Sequence, residues 1–221
     1  KALENKLKAS AFTQLGYLYT YTHKKNWVKA LKFYKKALNL EPMNKHFNYS
    51  VGLAYFFLNQ YSDAKKYLNI AIDLDPEHFM AYRDLGDLYK KTGAYNKAIE
   101  KYKKSIQLLE FHKKREDSIY PLALSNIALT YLNMENFYEA LKYAKKWIEI
   151  NRELFGDKSS EYLASYSYLA YIHLLSQNSE EALVVISQLE KLLPEVKEKT
   201  TDDYAMLLAN LGLFSMILGD I

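Results

Sequence analysis

The sequence predicts an all-α fold, a solenoid of about five stacked helix pairs followed by one terminal helix. Three observations predict it. Glycine (7) and proline (4) are scarce in a chain of 221 residues, so the turns that an all-β chain needs are few. A pattern of small and aromatic residues recurs at long, regular steps. Within each unit, apolar residues fall three and four apart, as on one face of a helix.

The repeat is clearest in the stretch "GDLYKKTGAYNKA", where Gly86, Tyr89 and Ala98 define the frame. The same frame recurs as Gly52, Tyr55, Ala64, as Ala128, Tyr131, Ala140, and as Ala170, His173, Ala182, with Gly16 and Tyr19 upstream and Gly212 downstream. Gly52 precedes Gly86 by 34 residues, whereas the later steps are 42 residues. In the first repeat, Ala30 stands two residues later than this frame requires.

The spacing of apolar residues predicts two helices in each repeat, each with one apolar stripe. Neither helix can bury its stripe alone, so stacked pairs would share one continuous core. Small residues at Gly86 and Ala98 would let the two helices of a pair approach closely. Helix ends are predicted by prolines at Pro42, Pro76 and Pro194, and N-caps by Ser118, Ser160 and Asp202.

On these residues the chain resembles the tetratricopeptide repeat family, and its later units are similar to the 42-residue repeats of kinesin light chains and some bacterial regulators. The resemblance implies a right-handed α-α superhelix in a single domain, 1–221. The implied repeats are 9–44, 45–78, 79–120, 121–162 and 163–204, with a half repeat at 205–221. Eight extra residues are about two helical turns, so we expect longer helices in the 42-residue units.

Some positions depart from the family pattern. Trp147 and Leu189 stand where the pattern has a small residue, which predicts irregular packing between the fourth and fifth repeats. The terminal helix would carry an apolar face of Leu207, Leu208 and Leu211 without a partner helix. We expect either that the protein is longer or that this C-terminal helix supports self-association.

No motif in the sequence supports catalysis or a bound cofactor. Gly86 and Gly93 lack the strand and the spacing of a phosphate-binding loop, and they fit a helix interior and a turn. The five histidines have no metal-ligand spacing, and the absence of cysteine excludes thiolate sites. We therefore predict a protein that is not an enzyme and holds no cofactor or metal.

Charge and hydropathy bear on the class of partner. The net charge of +4 is small, and lysines alternate with acidic residues, so we interpret the charge as evenly spread and predict no nucleic-acid partner. Lysine pairs on the second helices would face water. No apolar run reaches 18 residues, which predicts no membrane insertion.

The family resemblance implies a protein or peptide ligand in the concave groove lined by the first helices. The positions carried over are Tyr17, Tyr21, Tyr49, Phe56 and Phe57 in the first two repeats, Arg83, Asp87, Lys90 and Lys91 in the third, and Ser125, Leu129, Asn133 and Tyr171 in the last two. The groove would change from aromatic through charged to apolar. Alternatively, several of these side chains, Phe56 among them, pack between repeats. The family's carboxylate clamp is absent, since Thr13, Tyr17, Ser50, Met80 and Asp84 occupy its positions.

The sequence thus favours a non-catalytic scaffold that binds proteins or peptides. Two alternatives remain: a ligand-sensing domain of a larger signalling or transcription regulator, and a purely structural subunit of an assembly.

Overall fold

The protein is described by a computed structural model over residues 2–21, 26–196 and 202–218. These residues form eleven α-helices and no strand, which confirms the predicted all-α class. The helices are α1 (Ala2–Tyr21), α2 (Trp27–Leu40), α3 (Lys45–Phe57), α4 (Tyr61–Leu74), α5 (Phe79–Lys91), α6 (Tyr95–Phe111), α7 (Ile119–Asn133), α8 (Phe137–Phe155), α9 (Ser160–Leu175), α10 (Ser179–Leu192) and α11 (Asp202–Leu218). A short 3-10 helix, Leu193–Glu195, follows α10.

The chain divides into two compact units, Lys1–His112 and Lys113–Ile221. In the first unit, α1 packs on α2, α3 on α4 and α5 on α6, and the second helix of each pair contacts the first helix of the next. In the second unit, α7 packs on α8 and α9 on α10, while α8 and α11 both contact α9. Each unit is therefore a stack of helix pairs, as the repeat predicts.

Glycines of the repeat frame mark where the two helices of a pair cross. A Cβ atom at Gly86 would lie 2.6 Å from the ring of Tyr102, which is fully buried on α6. Equivalent crossings join Gly16 with Tyr34 and Gly52 with Leu68. The predicted close approach is confirmed, because a large side chain of the second helix fills the space that the glycine leaves.

The turn inside each helix pair has the same backbone shape in four places. One residue per turn has a positive φ angle: Asn59 (59°), Gly93 (75°), Glu135 (56°) and Gln177 (62°). The next amide then donates to a carbonyl five residues back, in the pairs Gln60–Tyr55, Ala94–Tyr89, Asn136–Tyr131 and Asn178–His173. In the first pair, the Asn26 amide instead reaches back seven residues to the Tyr19 carbonyl at 2.8 Å, which accommodates the two extra residues that the late Ala30 indicates.

Helix lengths only partly follow the 42-residue expectation. The helices α6 and α8 have 17 and 19 residues, against 14 in α2 and in α4, so these two are extended as predicted. The prediction is wrong for α10, which has 14 residues and passes into the 3-10 helix around Pro194. Proline in the first turn of that short helix fixes φ and lacks an amide hydrogen, which is compatible with a break at this point.

Of the predicted N-caps, Ser118 has the position but not the hydrogen bond, and the cap of α9 lies one residue earlier than predicted. Ser118 precedes α7 but makes no cap hydrogen bond, and the Asp117 carboxylate accepts an amide of the first turn instead. Ser159, not Ser160, caps α9, because Ser159 has the extended backbone of a cap residue whereas Ser160 is already helical. The side chain of Asp202 lies outside the described residues.

The two residues that break the small-residue pattern are accommodated in the second unit. Trp147 is nearly buried on α8, and its ring centroid lies 5.4 Å from that of Tyr168 on α9. Leu189 is fully buried in the core that α9 and α10 share. Each of these larger side chains therefore fills space in the core of the second unit.

The terminal helix α11 packs on α9 with one of its sides. Leu207 is fully buried against α9, and the Asn210 amide donates to the Ser167 hydroxyl at 2.8 Å. The expectation that Leu207 lacks a partner is therefore wrong. Leu208, in contrast, is exposed.

The charge is not evenly spread, contrary to our interpretation of the sequence. Residues 1–112 contain 19 Lys and Arg against 10 Asp and Glu, which gives the first unit a net charge of +9. Residues 113–221 contain 11 against 16, which gives the second unit −5. The alternation of signs along the chain conceals this difference between the units.

Within the described ranges, no helix combines the length and the apolar character that crossing a lipid bilayer requires.

Candidate functional site

The candidate site lies in the first unit, on the first helix of each pair. Tyr17 of α1, Tyr49 of α3, and Arg83, Asp87 and Lys91 of α5 all belong to the predicted groove. We call the surface that carries them the first-helix face. The Tyr49 side chain lies close enough to those of Tyr17 and Arg83 to interact with both electrostatically. The structure therefore brings these three predicted groove residues together.

A buried carboxylate organises this face. Asp84 is only 3% exposed, and its Oδ2 accepts a hydrogen bond from the Tyr49 hydroxyl at 2.7 Å. The Arg83 Nε donates to Oδ1 at 2.8 Å. Burial raises the pKa of the Asp84 carboxyl above its ordinary value, and the charge of Arg83 opposes that shift. The network ties α3 to α5, since its partners stand 35 residues apart in the chain.

A second network lies on the same side of α5. The hydroxyl of Tyr102, on α6, donates to Asp87 Oδ1 at 2.6 Å, and Lys90 Nζ lies 3.8 Å from that oxygen. Burial raises the pKa of the Tyr102 hydroxyl, and the Asp87 carboxylate raises it further, so Tyr102 remains a donor. Burial lowers the pKa of the Lys90 amine, while Asp87 opposes that shift. Thus each acid on this face is matched by a tyrosine and a cation.

Aromatic rings lie at the other end of the first-helix face. Tyr17 is 44% exposed, and its ring meets that of Tyr34 edge-on at 5.8 Å. Phe57, also exposed, stacks on Trp27 with 4.1 Å between ring centroids. Phe56 is partly buried beside Phe57. Packing against neighbouring rings holds these surfaces in place, which reduces the entropy that a ligand would have to remove.

Not every predicted groove residue is accessible in the first unit. Tyr49 and Arg83 are held by Asp84, which accepts hydrogen bonds from the Tyr49 hydroxyl and from the Arg83 Nε and Nη2 atoms. Lys91, in contrast, is exposed. The side chain of Tyr21 lies outside the described residues.

The predicted groove residues of the second unit are less open. Ser125 is buried, and its hydroxyl donates to the Leu122 carbonyl, so it does not line an open surface. Leu129 and Tyr171 are partly buried against the core of α7 and α8. Asn133, the last residue of α7, is exposed.

Sequence reasoning missed Asp84 and Tyr102 as members of the site. A signal for Asp84 was available: Ala81 and Leu88 stand three residues before it and four after it, and all three share the buried stripe of α5. A charged residue on an apolar stripe indicates a paired, buried group. Tyr102 carried no such signal, because a tyrosine on a stripe is also ordinary core.

His78 adjoins the Asp84 network and caps α5. Its Nδ1 accepts the Ala81 amide at 3.3 Å, and its ring lies 4.8 Å from that of Tyr49. Its Nε2 is buried and has no hydrogen-bond partner among the described residues. Burial lowers the pKa of the His78 imidazole, and nearby Asp75 opposes the shift. A neutral ring is therefore part of the folded structure.

Comparison with known proteins bears on family and fold. Two family models described as "Tetratricopeptide repeat" match residues 49–111 and 120–193. BBSome complex member BBS4 of Bos taurus is 27% identical over 211 residues, which cover 83% of this chain and 39% of that protein. The chain spans less than half the length of the curated relatives that it matches, between 8% and 39% for three of them.

Two solved structures have the same fold. MamA from Desulfovibrio magneticus RS-1 superimposes with a TM-score of 0.68 at 17% identity, over 86% of this chain and 98% of that one. The kinesin light chain TPR-like repeats of Podosopora anserina give a TM-score of 0.72 at 14% identity, over 86% and 96%. At these identities the likeness concerns the fold alone. Together with the repeat-family matches in both units, it shows that the chain belongs to the tetratricopeptide repeat family.

Proposed function

We propose that this chain is a non-catalytic scaffold that binds a protein or peptide on its first-helix face. A tetratricopeptide repeat fold supports a role in protein interaction in general. The relative BBS4 is named as a member of a complex, which supports the same role here. Nothing in the described residues favours the alternative of a ligand-sensing regulator domain.

The Asp84 network is the observation that carries the proposal. A buried ion pair seldom stabilises a fold more than apolar side chains of similar volume would. Asp84 therefore needs a reason beyond stability to occupy an otherwise apolar stripe, with Arg83 beside it. Fixing the polar surface of α5 beside exposed aromatics is such a reason, because a ligand meets groups that are already ordered.

The first-helix face offers two kinds of contact to a partner. The ring of Tyr17 gives a large apolar surface at low entropy cost. Lys91 adds an exposed cation one residue after Lys90. A charged group at a fixed distance from an apolar anchor sets the direction in which a peptide lies.

The proposal extends to the other partners expected from the sequence. It includes self-association through α11, whose Leu208 and Met216 are exposed. It includes no nucleic acid, no insertion into a membrane and no cofactor.

Selection of peptides from a random library tests the proposal. Peptides enriched on the wild-type chain would be labelled, and their Kd measured by fluorescence anisotropy. We expect Tyr17→Ala and Lys91→Glu each to weaken binding about tenfold or more. Tyr138→Ala is the matched control, since Tyr138 is 77% exposed on α8. Equal affinities for the Tyr17 and Tyr138 variants would mean that the ligand binds elsewhere.

A further inference from the structure

We propose that protonation of His78 switches off ligand binding by the first-helix face, so that the chain binds its partner at neutral pH and releases it in mildly acidic solution. Such a switch rests on the proposed function and regulates that same face. It uses a buried imidazole that takes no part in the hydrogen bonds of the Asp84 network.

The hydrogen bonds of His78 fit only the neutral imidazole. Its Nδ1 accepts the Ala81 amide at 3.3 Å, which places the single ring proton on Nε2. That Nε2 atom is buried and has no acceptor among the described residues. A second proton, on Nδ1, would set one donor against another at the Ala81 amide. It would also leave a full charge on a residue that is only 5% exposed.

The groups around His78 do not supply a free counter-ion for an imidazolium. The ionisable groups that face it are Lys45, His46 and Tyr49 on α3 and Asp75 at the end of α4. Asp75 is the acid of this set, but its carboxylate already accepts bonds from Lys45 Nζ at 2.8 Å and from the Glu77 amide at 3.2 Å. The Glu77 carboxylate itself lies 3.3 Å from His112 Nε2 at the end of α6.

The neutral form of His78 is favoured by this environment. Burial lowers the pKa of the His78 imidazole, Asp75 opposes that shift, and His46 and Lys45 add to it. The ring of His46 lies beside that of His78, with 5.9 Å between their centroids. An added proton on His78 therefore meets two basic neighbours and one acid that Lys45 already compensates.

Tyr49 connects His78 to the first-helix face. The centroids of the two rings lie 4.8 Å apart, and the Tyr49 hydroxyl donates to Asp84 Oδ2 at 2.7 Å. Asp84 in turn holds Arg83. His78 also caps α5, the helix that carries both Arg83 and Asp84. A charged ring that leaves its buried place would disturb the Tyr49 contact and the start of α5 together, and with them the ordered polar surface that a ligand meets.

The direction of the pH dependence follows from the form that binds. The ordered face requires neutral His78, so protons compete with the ligand. Burial lowers the pKa of folded His78 below its ordinary value of about 6.5, so affinity should be constant above that value and fall as pH drops through the lowered pKa. Each pH unit below the lowered pKa reduces the neutral fraction about tenfold, and the apparent Kd rises by the same factor.

Fluorescence anisotropy at about pH 7.5 and about pH 5 tests the switch with a library-selected peptide that contains no histidine. The Kd of the wild-type chain should be about fivefold or more higher at the lower pH. In His78→Asn, whose side-chain oxygen can still cap α5, the ratio of the two Kd values should stay below about twofold. His112→Asn is the matched control, since His112 is an exposed histidine at the end of α6, and it should keep the wild-type ratio.

Circular dichroism at both pH values checks that each chain stays folded. His78→Ser also keeps an acceptor for the cap, and it replaces an asparagine variant that unfolds. An equal wild-type Kd at the two pH values, or an equal loss of affinity in the His78 variant, would overturn the switch and leave peptide binding standing. Loss of wild-type helicity at the lower pH would overturn the switch as well, because acid would then unfold the chain. A wild-type chain that binds no peptide at the higher pH would instead overturn the proposed function, and the switch with it.

Discussion

At the residue scale, Asp84 shows how one side chain can connect stability and function. Its carboxylate has almost no contact with water, so its charge depends on Arg83 and on the Tyr49 hydroxyl. Removing one partner leaves a buried charge incompletely compensated. The same bonds fix α5 relative to α3, which keeps the exposed side chains of both helices in register.

The Tyr49 hydroxyl is the simplest place to test this dependence. Tyr49→Phe removes one donor to a buried carboxylate, so we expect the free energy of unfolding to fall by about 1.5–3 kcal/mol. Tyr61→Phe is the control, because the Tyr61 hydroxyl donates to Asn59 at the surface. Urea unfolding of both variants measures the difference. Equal losses would show that the Asp84 network does not stabilise the first unit.

His78 should make stability depend on pH. Burial lowers the pKa of His78 in the folded chain below the ordinary value of about 6.5, so the unfolded chain binds more protons as pH falls. Stability is then complete above that ordinary value and is lost as pH drops below it. His78→Asn keeps an acceptor for the cap and removes the titration, so it should lose less stability between about pH 7.5 and pH 5.5. Burial also lowers the pKa of His173, which accounts for part of the remaining loss. An unchanged loss in the variant would contradict the assignment.

At the element scale, the turn inside each helix pair overrides residue preference. Glu135 and Gln177 adopt positive φ angles that side chains with a Cβ atom disfavour, whereas Gly93 adopts one without strain. In each turn, the hydrogen bond from the following amide to the carbonyl five residues back holds the backbone in this shape.

Introducing glycine in place of Glu135 at its turn should therefore stabilise the second unit. We expect Glu135→Gly to raise the free energy of unfolding by up to about 1 kcal/mol, and Gly93→Ala to lower it by about the same amount. Open space surrounds Gly93, so the second change reports on the backbone alone. Thermal unfolding of the two variants should move in opposite directions; a shift of the same sign would contradict the strain.

The helix crossing gives a second matched pair. Gly86→Ala places a Cβ atom 2.6 Å from the Tyr102 ring, so we expect a loss of about 1–3 kcal/mol. Gly212→Ala meets no atom within 4 Å and should gain up to about 1 kcal/mol from helix propensity. Urea unfolding at a low protein concentration checks both. Similar losses at the two glycines would mean that Gly86 does not mark a helix crossing.

At the scale of the whole molecule, the local repeat carried the prediction of the fold but not of the site. Small and aromatic positions such as Gly86 and Tyr89 recur with a fixed period, and their spacing alone indicates paired helices. The bond between Tyr49 and Asp84 depends on the rotation and offset of two helices 35 residues apart, which no periodic pattern specifies. The opposite net charges of the two units could not be predicted for a related reason. The boundary between the units is set by contacts between helices, which the sequence pattern does not specify.

The central claim is that a ligand binds on the first-helix face, and site-specific photo-crosslinking tests it most directly. A benzophenone side chain at position 17, within the face, or at position 138, on α8, would be activated in the presence of a selected peptide. We predict crosslinked peptide at position 17 and none at position 138. Crosslinking at position 138 without any at position 17 would contradict the account.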